Sequence, residues 1–481
     1  MQQSYRPYTL PMADQRNGSG QPSNGKASAA ANSYSIDLDK FTTRLKSLYS
    51  HWNDNKDDMW GTSDVLAIAT PPPSEDLRYL KSSALNIWLL GYEFPETIMV
   101  FMKKQIHFLC SQKKVSLLEV VKKSAKDAVD VDVVMHVKAK NDDGSGLMDA
   151  IFRAIHAQSK VDGLDTPLVG YIARETPEGK LLELWAEKLK SANFQLGDIT
   201  GGLSDLFAVK DKDEIMCVKK AAYLSAHVMK KVVVPKLENV IDEEKKVSHS
   251  SLMDETEKAI LEPTRAGVKL KAENIDICYP PIFQSGGEFD LRPSAASNDE
   301  MLYYDSASVI ICAIGSRYNS YCSNIARTFL IDANHLQSKA YEVLLKAQEA
   351  AISALKPGNR VSAAYQAAIS VVEADAPELV ANLTKSAGTG IGLEFCESRL
   401  TINAKNDRVV KAGMIFNVSI GFQNLQTQTK NPKNQNFSLL LADTIVITDE
   451  KTEVVTLASS KSFRNFYGLF GSLEWEESRG E

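Results

Sequence analysis

The stretch Ser308–Leu330, SVIICAIGSRYNSYCSNIARTFL, decides the fold. It opens with an uninterrupted apolar run, turns at Gly315, and resumes as YCSNIARTFLI. Short apolar runs bounded by a turn residue read as buried β-strands, so the segment predicts two strands at the centre of a sheet. Downstream, the spacing predicts a long helix from about His335 to Leu355, stopped by LKPG with Gly358 as its C-terminal cap. A second helix follows over VSAAYQAAISVVEA. A glycine-rich turn is then expected at GTGIGLE (Gly388 to Glu394), and MIFNVSIGF and FSLLLADTIVIT close the region as strands.

Upstream, EIMCVKKAAYLSAHVMKKVVVPKLENVIDEEKKV predicts two or more helices, with Pro235 at a start or a break. GDITGGLSDLFAVKD reads as a connection. Before it, strands such as VLAIAT, VDVVMHVKA and PLVGYIA alternate with amphipathic helices such as SGLMDAIFRAIHA and KLLELWAEKLK, which predicts an α/β domain. SEDLRYLKSSALNIWLL reads as a helix running into an apolar strand. In IDLDKFTTRLKSLYSHW, Phe41, Leu45, Leu48 and Trp52 fall at helical spacing and Asp39 is the candidate N-cap. Residues 1–33, rich in Ser, Gly, Asn and Gln, are expected to be disordered, and Met12 is a candidate start. The segmentation is therefore 1–33, 34–200, 201–452 and a flexible tail over 453–481.

The chain has 481 residues, 24% of them charged, and a formal net charge of −6, which argues against a sequence-specific nucleic-acid binder. Its six cysteines, Cys110, Cys217, Cys278, Cys312, Cys322 and Cys396, show no CxxC spacing and are expected to be reduced, mostly buried thiols. No apolar run approaches the ~18 residues of a membrane span.

The order of strands and paired helices over about 210–450 resembles the pita-bread fold of the creatinase, prolidase and aminopeptidase P family. Active members carry a D-x-G strand with a second Asp eleven residues on; here AIGSRYNSYCSNIARTF keeps Gly315, Tyr318, Tyr321, Arg327, Thr328 and Phe329, but the two ligand positions hold Ala313 and Asn324. The family's G-H-G-I-G-L appears as GTGIGL with Thr389 at the ligand His, and Cys396 stands where a further His is expected. The two ligand glutamates correspond to Ser419 in GMIFNVSIG and Ala442 in LADTIVIT. The resemblance thus implies five degenerate metal positions, and no His occurs from Leu336 to Glu481 to substitute. Two hard divalent ions need bridging carboxylates, which Ala, Asn, Thr and Ser do not supply. No metal or other cofactor is expected, and no catalytic residue is assigned.

Spellings such as PSEDLRYLKSSALNIWLLGYEFPET and GTGIGLEFCES are similar to one branch, the large-subunit family of the FACT histone chaperone, in a plant-like form. The expected architecture is an α/β N-terminal lobe followed by an α+β pita-bread, aminopeptidase-like domain. The resemblance implies a nuclear, chromosome-bound, non-catalytic module that contacts core histones and nucleosomes in transcription, replication and repair. It also implies a smaller HMG-box partner, met through parts of the large subunit beyond this domain. The old substrate cleft, with Gly390, Gly392, Cys396, Arg327 and Asp443, is a candidate peptide groove. The competing readings are an active X-Pro aminopeptidase and a scaffold with little histone contact. Cys396 is expected to be a buried structural thiol, Asp443 a hydrogen-bonding anchor, and IDEEKKV (Ile241 to Val247) a solvated helix face.

Overall fold

The computed structural model describes residues 35–74, 78–429 and 431–457. The expectations for residues 1–33 and for the tail beyond 457 lie outside them. The chain divides into two compact units between Phe207 and Ala208.

The first unit is built on a mixed six-stranded sheet. Its strands are β1 (Val65–Thr70), β2 (Thr97–Phe101), β3 (Gln105–Ser111), β4 (Asp132–Lys138), β5 (Leu168–Tyr171) and β6 (Gln195–Asp198), in the order β4-β3-β2-β1-β5-β6. Val65, Ala67, Ile98, Val100 and Leu109 pack one face against Met148, Ile151 and Ile155 of the helix Ser145–Val161 and against Leu182 and Trp185 of the helix Lys180–Ser191. Alternation along the strands sends Leu66, Ile68, Met99 and Phe108 to the other face, where they are also buried.

Three local readings change here. The helix Leu38–Asp54 is capped by Asp37, whose carboxylate accepts from the Lys40 N–H, so Asp39 lies in its first turn. The apolar end of SALNIWLL belongs to the helix Lys81–Leu90, which Gly91 terminates in the left-handed region. A helix buried on most sides carries no periodic signal to separate it from a strand. The expected connection instead contains the end of β6 and the helix Thr200–Ala208. In it Gly202 is there for packing: a Cβ would lie 2.2 Å from the Trp60 ring.

The second unit centres on an antiparallel sheet. It contains β8 (Ile282–Gln284), β9 (Ser308–Ile314), β12 (Ile325–Ile331), β13 (Gly388–Gly390), β14 (Ile415–Gln426), β15 (Asn436–Ile447) and β16 (Thr452–Val454). The order is β13-β14-β15-β12-β9-β8, with β16 paired to β15. A small sheet, β11-β10-β7, is formed by β7 (Ile275–Ile277), β10 (Ser316–Tyr318) and β11 (Tyr321–Cys322). The helix His335–Ala354 pairs with the helix Val361–Asp375 and packs on β14 and β15. The helices Lys212–Val228 and His249–Leu261 pack on the small sheet.

The predicted strands and long helices are present, with four refinements. GTG in GTGIGLE is a strand: Gly388, at φ +113°, approaches β14 so closely that a Cβ would meet the Asn417 carbonyl oxygen at 1.9 Å. The His335–Ala354 helix is capped at Leu355, and Gly358 turns the chain three residues later. The run IDEEKKV is mostly an exposed turn after the helix Val234–Asp242, with Ile241 buried. Order continues past position 452, because β16 adds to the sheet and Thr456 is fully buried. Among the described residues no helix is long and apolar enough to cross a membrane.

Candidate functional site

Antiparallel register gathers the degenerate ligand positions onto one face. Directly opposite residues point to the same side of a sheet. Ala313 pairs with Ala326, Ala326 with Ala442, and Ala442 with Ser419, so these four side chains form one row across β9, β12, β15 and β14. A second row lies two residues along: Thr389 opposes Asn417, and Asn417 opposes Thr444. Asn324 joins it just before β12.

The second row is hydrogen-bonded to itself and to its cover. The Asn324 amide donates to Asn417 Oδ1 at 3.1 Å and its Oδ1 accepts from the Tyr279 hydroxyl at 2.5 Å. Thr444 Oγ1 accepts from the Asn324 N–H at 2.8 Å and donates to the Asn324 carbonyl at 2.9 Å. Tyr279 is buried, meets Phe395 edge-on with ring centroids 5.0 Å apart, and has its phenol pKa pushed up by desolvation. Thr389 Oγ1 donates to the Glu397 carbonyl at 2.9 Å.

Below this lies an ion pair that sequence reading missed. Lys210 Nζ donates to both carboxylate oxygens of Glu397, at 2.6 and 2.8 Å, and both residues are buried. A Cβ on Gly392 would lie 2.6 Å from Lys210 Cε, and one on Gly390 would lie 2.7 Å from Glu397 Oε2. The two glycines therefore fit over the ion pair. Separated by 187 positions, its partners leave no local signal.

The residue types do not fit a pair of divalent ions. Two positions offer methyl groups, Asn324 is bonded at both ends of its amide, Thr389 is spent on a carbonyl, and no carboxylate stands on either row. Among the described residues no group of three or more His, Cys, Asp or Glu side chains is placed to hold a metal.

The five proposed cleft residues separate. Arg327 and Asp443 sit on the opposite face of the sheet, because strand alternation turns each away from its neighbours Ala326 and Ala442. There Arg327 Nη2 donates to Asp443 Oδ1 at 2.9 Å, while Asp443 also accepts from Thr456 Oγ1 at 2.7 Å and from Gln348 Nε2 at 3.2 Å. Gln348 comes from the helix His335–Ala354, so this cluster anchors that helix to the sheet. Cys396, in contrast, is exposed. Crowding around its sulfur raises the thiol pKa, opposed by the Thr389 hydroxyl and reinforced by Glu394 and Glu397. The expectation of a buried Cys396 is thereby corrected: it lies beside the buried Glu397 yet faces outward at the rim. The anchoring expectation for Asp443 agrees with its bonds.

Comparison with known proteins places this geometry. Residues 36–202 match the N-terminal lobe domain of FACT complex subunit SPT16, and residues 216–449 match metallopeptidase family M24. The solved N-terminal domain of FACT complex subunit SPT16 from Cicer arietinum (chickpea) is 67% identical, with a TM-score of 0.85, covering 89% of this chain and 98% of that one. The chain belongs to the SPT16 family of FACT complex subunits. The FACT complex subunit SPT16 of Arabidopsis thaliana is 67% identical over 468 residues, 97% of this chain and 44% of the relative, so the chain spans less than half the length of that relative. Both are plant proteins, in line with the plant-like spelling. The Xaa-Pro dipeptidase from Bacillus anthracis shares the fold alone, at 17% identity and a TM-score of 0.62 over 88% of this chain and 99% of that one. SPT16 membership and the peptidase-like fold thus agree with the architecture expected from sequence.

Proposed function

We propose that this chain is a non-catalytic histone- and nucleosome-binding module of a FACT-type, chromatin-reorganising complex, acting in the nucleus during transcription, replication and repair. The observation that carries the non-catalytic part is the face just described. A peptidase scaffold is kept, but its ligand positions carry methyl groups, hydroxyls and one amide in place of carboxylates and imidazole, and Asn324 and Thr389 already hold hydrogen bonds within the protein. The binding part rests on membership of the SPT16 family. The peptide-binding surface is the rim around Cys396 rather than the buried Gly390 and Gly392, and Arg327 and Asp443 support it from behind. The smaller HMG-box subunit binds through parts of the large subunit beyond these two units.

A pulldown with purified core histones at about 150 mM salt, where exposed charges are screened beyond ~8 Å, tests the binding part. Retention above a bead control is expected; background retention overturns it. Metal analysis with an X-Pro peptide assay tests the other part. Two bound metal ions per chain, or turnover that a chelator abolishes, would show an enzyme instead.

A further inference from the structure

The continuous helical stretch from Lys212 to Asp242 carries a surface that the peptidase-like face does not use. From Ile215 to Leu237 it contains Lys219, Lys220, Lys230, Lys231 and Lys236 but no Asp or Glu, in a chain whose net charge is −6. Apolar and aromatic groups stand among these lysines. Met216 is 51% exposed and Tyr223 is 49% exposed. Seven residues apart, they share a helix face with Lys220 and His227. The Tyr223 and His227 rings lie 3.9 Å apart at their centroids, and His227 Nδ1 bonds the Tyr223 carbonyl at 2.9 Å, so the pair forms an ordered platform. Lys220 is held 4.8 Å over the Tyr318 ring, and among the described residues it has no ion-pair partner.

Pro235 shapes the far end. Lacking an N–H, it cannot complete the regular ladder, and the helix passes through a π-turn over Met229–Val233 in which the Val234 N–H bonds the Met229 carbonyl. The turn inserts a residue, and the consecutive Lys230 and Lys231 are both exposed. Lys219 and Lys236 are neutralised by Glu453 and Glu255, each at 2.7 Å. Among the described residues Lys230 and Lys231 have no ion-pair partner.

We propose that this stripe is a docking surface for an acidic peptide segment of a partner protein, one with an aromatic or apolar anchor. The anchor sits on Met216 and the Tyr223–His227 platform, and the acidic residues meet Lys220, Lys230 and Lys231. Charge complementarity sets the sign of the partner. The interleaved methionine and the close Tyr223–His227 ring pair favour a peptide over a nucleic-acid backbone, which would gain little from an exposed thioether. The net negative chain also disfavours duplex binding.

Fluorescence anisotropy with the whole chain tests the proposal. The probe is a labelled Glu-rich peptide of about 12 residues with one central Trp, long enough to cover three helical turns. Saturable binding is expected, weakened about tenfold by the double variant Lys230→Glu/Lys231→Glu and about fivefold by Tyr223→Ala, with circular dichroism confirming the native fold of each. Lys140→Glu, an exposed lysine on the first unit, should leave affinity unchanged. The proposal is overturned if the peptide does not bind, if Lys140→Glu weakens binding as much as the double variant does, or if a duplex DNA binds more tightly with the same dependence on Lys230 and Lys231.

Discussion

Replacing Asp443 by Ala removes the carboxylate that faces Arg327 on the helix-covered side of the sheet. Asp443 is fully buried and Arg327 only 2% exposed, so the guanidinium would keep its charge with the Asp443 carboxylate removed. Stripping one partner from such a pair costs about 3–5 kcal/mol. Thr456 Oγ1, which donates to Asp443 at 2.7 Å, loses its acceptor as well and adds about 1 kcal/mol. That total is a large part of the ~5–15 kcal/mol that stabilises a typical domain. At about 2–4 °C per kcal/mol for a unit of this size, the melting transition should fall by roughly 8–24 °C. Far-UV circular dichroism during heating reads the shift. Tryptophan fluorescence supplies a contrast, because four of the five tryptophans, Trp52, Trp60, Trp88 and Trp185, lie in the first unit, and the transition they report should move less. The double variant Arg327→Met/Asp443→Leu removes both charges and should recover more than half of the loss, since the penalty comes mainly from the stranded charge. A fall of less than about 1 kcal/mol for Asp443→Ala, or a double variant no more stable than the single one, would refute the reasoning.

Three further outcomes are expected. In the first unit, His107 and His136 lie with Nδ1 and Nε2 2.9 Å apart, and His107 Nε2 bonds Gln105 Oε1. Burial first, and the neighbouring His136 second, lower the His107 pKa from 6.5 to about 4, so the folded state favours the neutral ring. That contribution is complete above pH ~6.5 and is lost as pH falls toward 4, on the order of 3 kcal/mol, and His107→Leu should flatten the stability profile over that window. Gly202→Ala forces a methyl group against Trp60 and should cost about 2–3 kcal/mol, read by urea denaturation of the first unit. Iodoacetamide on the native protein should alkylate Cys396 before the other five cysteines, at a rate still rising above pH 9, because the thiol lies above its ordinary value of 9.0; peptide mapping by mass spectrometry locates the label.

Sequence made the central strands legible because their apolar runs were short and bounded by turn residues. The ligand positions were legible because the glycines and the Arg-Thr-Phe stretch around them were retained. What it concealed falls into two kinds. The Lys210–Glu397 pair and the Tyr279 bond to Asn324 join residues far apart in the chain, and periodicity says nothing about such partners. A glycine misled for the opposite reason: Gly388 permits close packing inside a strand, whereas local rules assign such glycines to turns. Arg327 and Asp443, named with the old cleft, lie on the opposite face of the sheet from their neighbours Ala326 and Ala442, because side-chain direction reverses at each step of a strand.

The bond between Tyr279 and Asn324 also bears on how this face can change over time. An aspartate at position 324 would turn an acceptor toward Asn417 Oδ1, where the amide now donates, and would sit beneath a buried phenol. A glutamate at position 442 would enter a fully buried place between Ala326 and Ser419. Each reversion taken singly lowers stability before any ion is held, because the benefit arrives only when several carboxylates stand together. The packing therefore works as a ratchet: any one ligand-type substitution meets a burial cost that no ion repays.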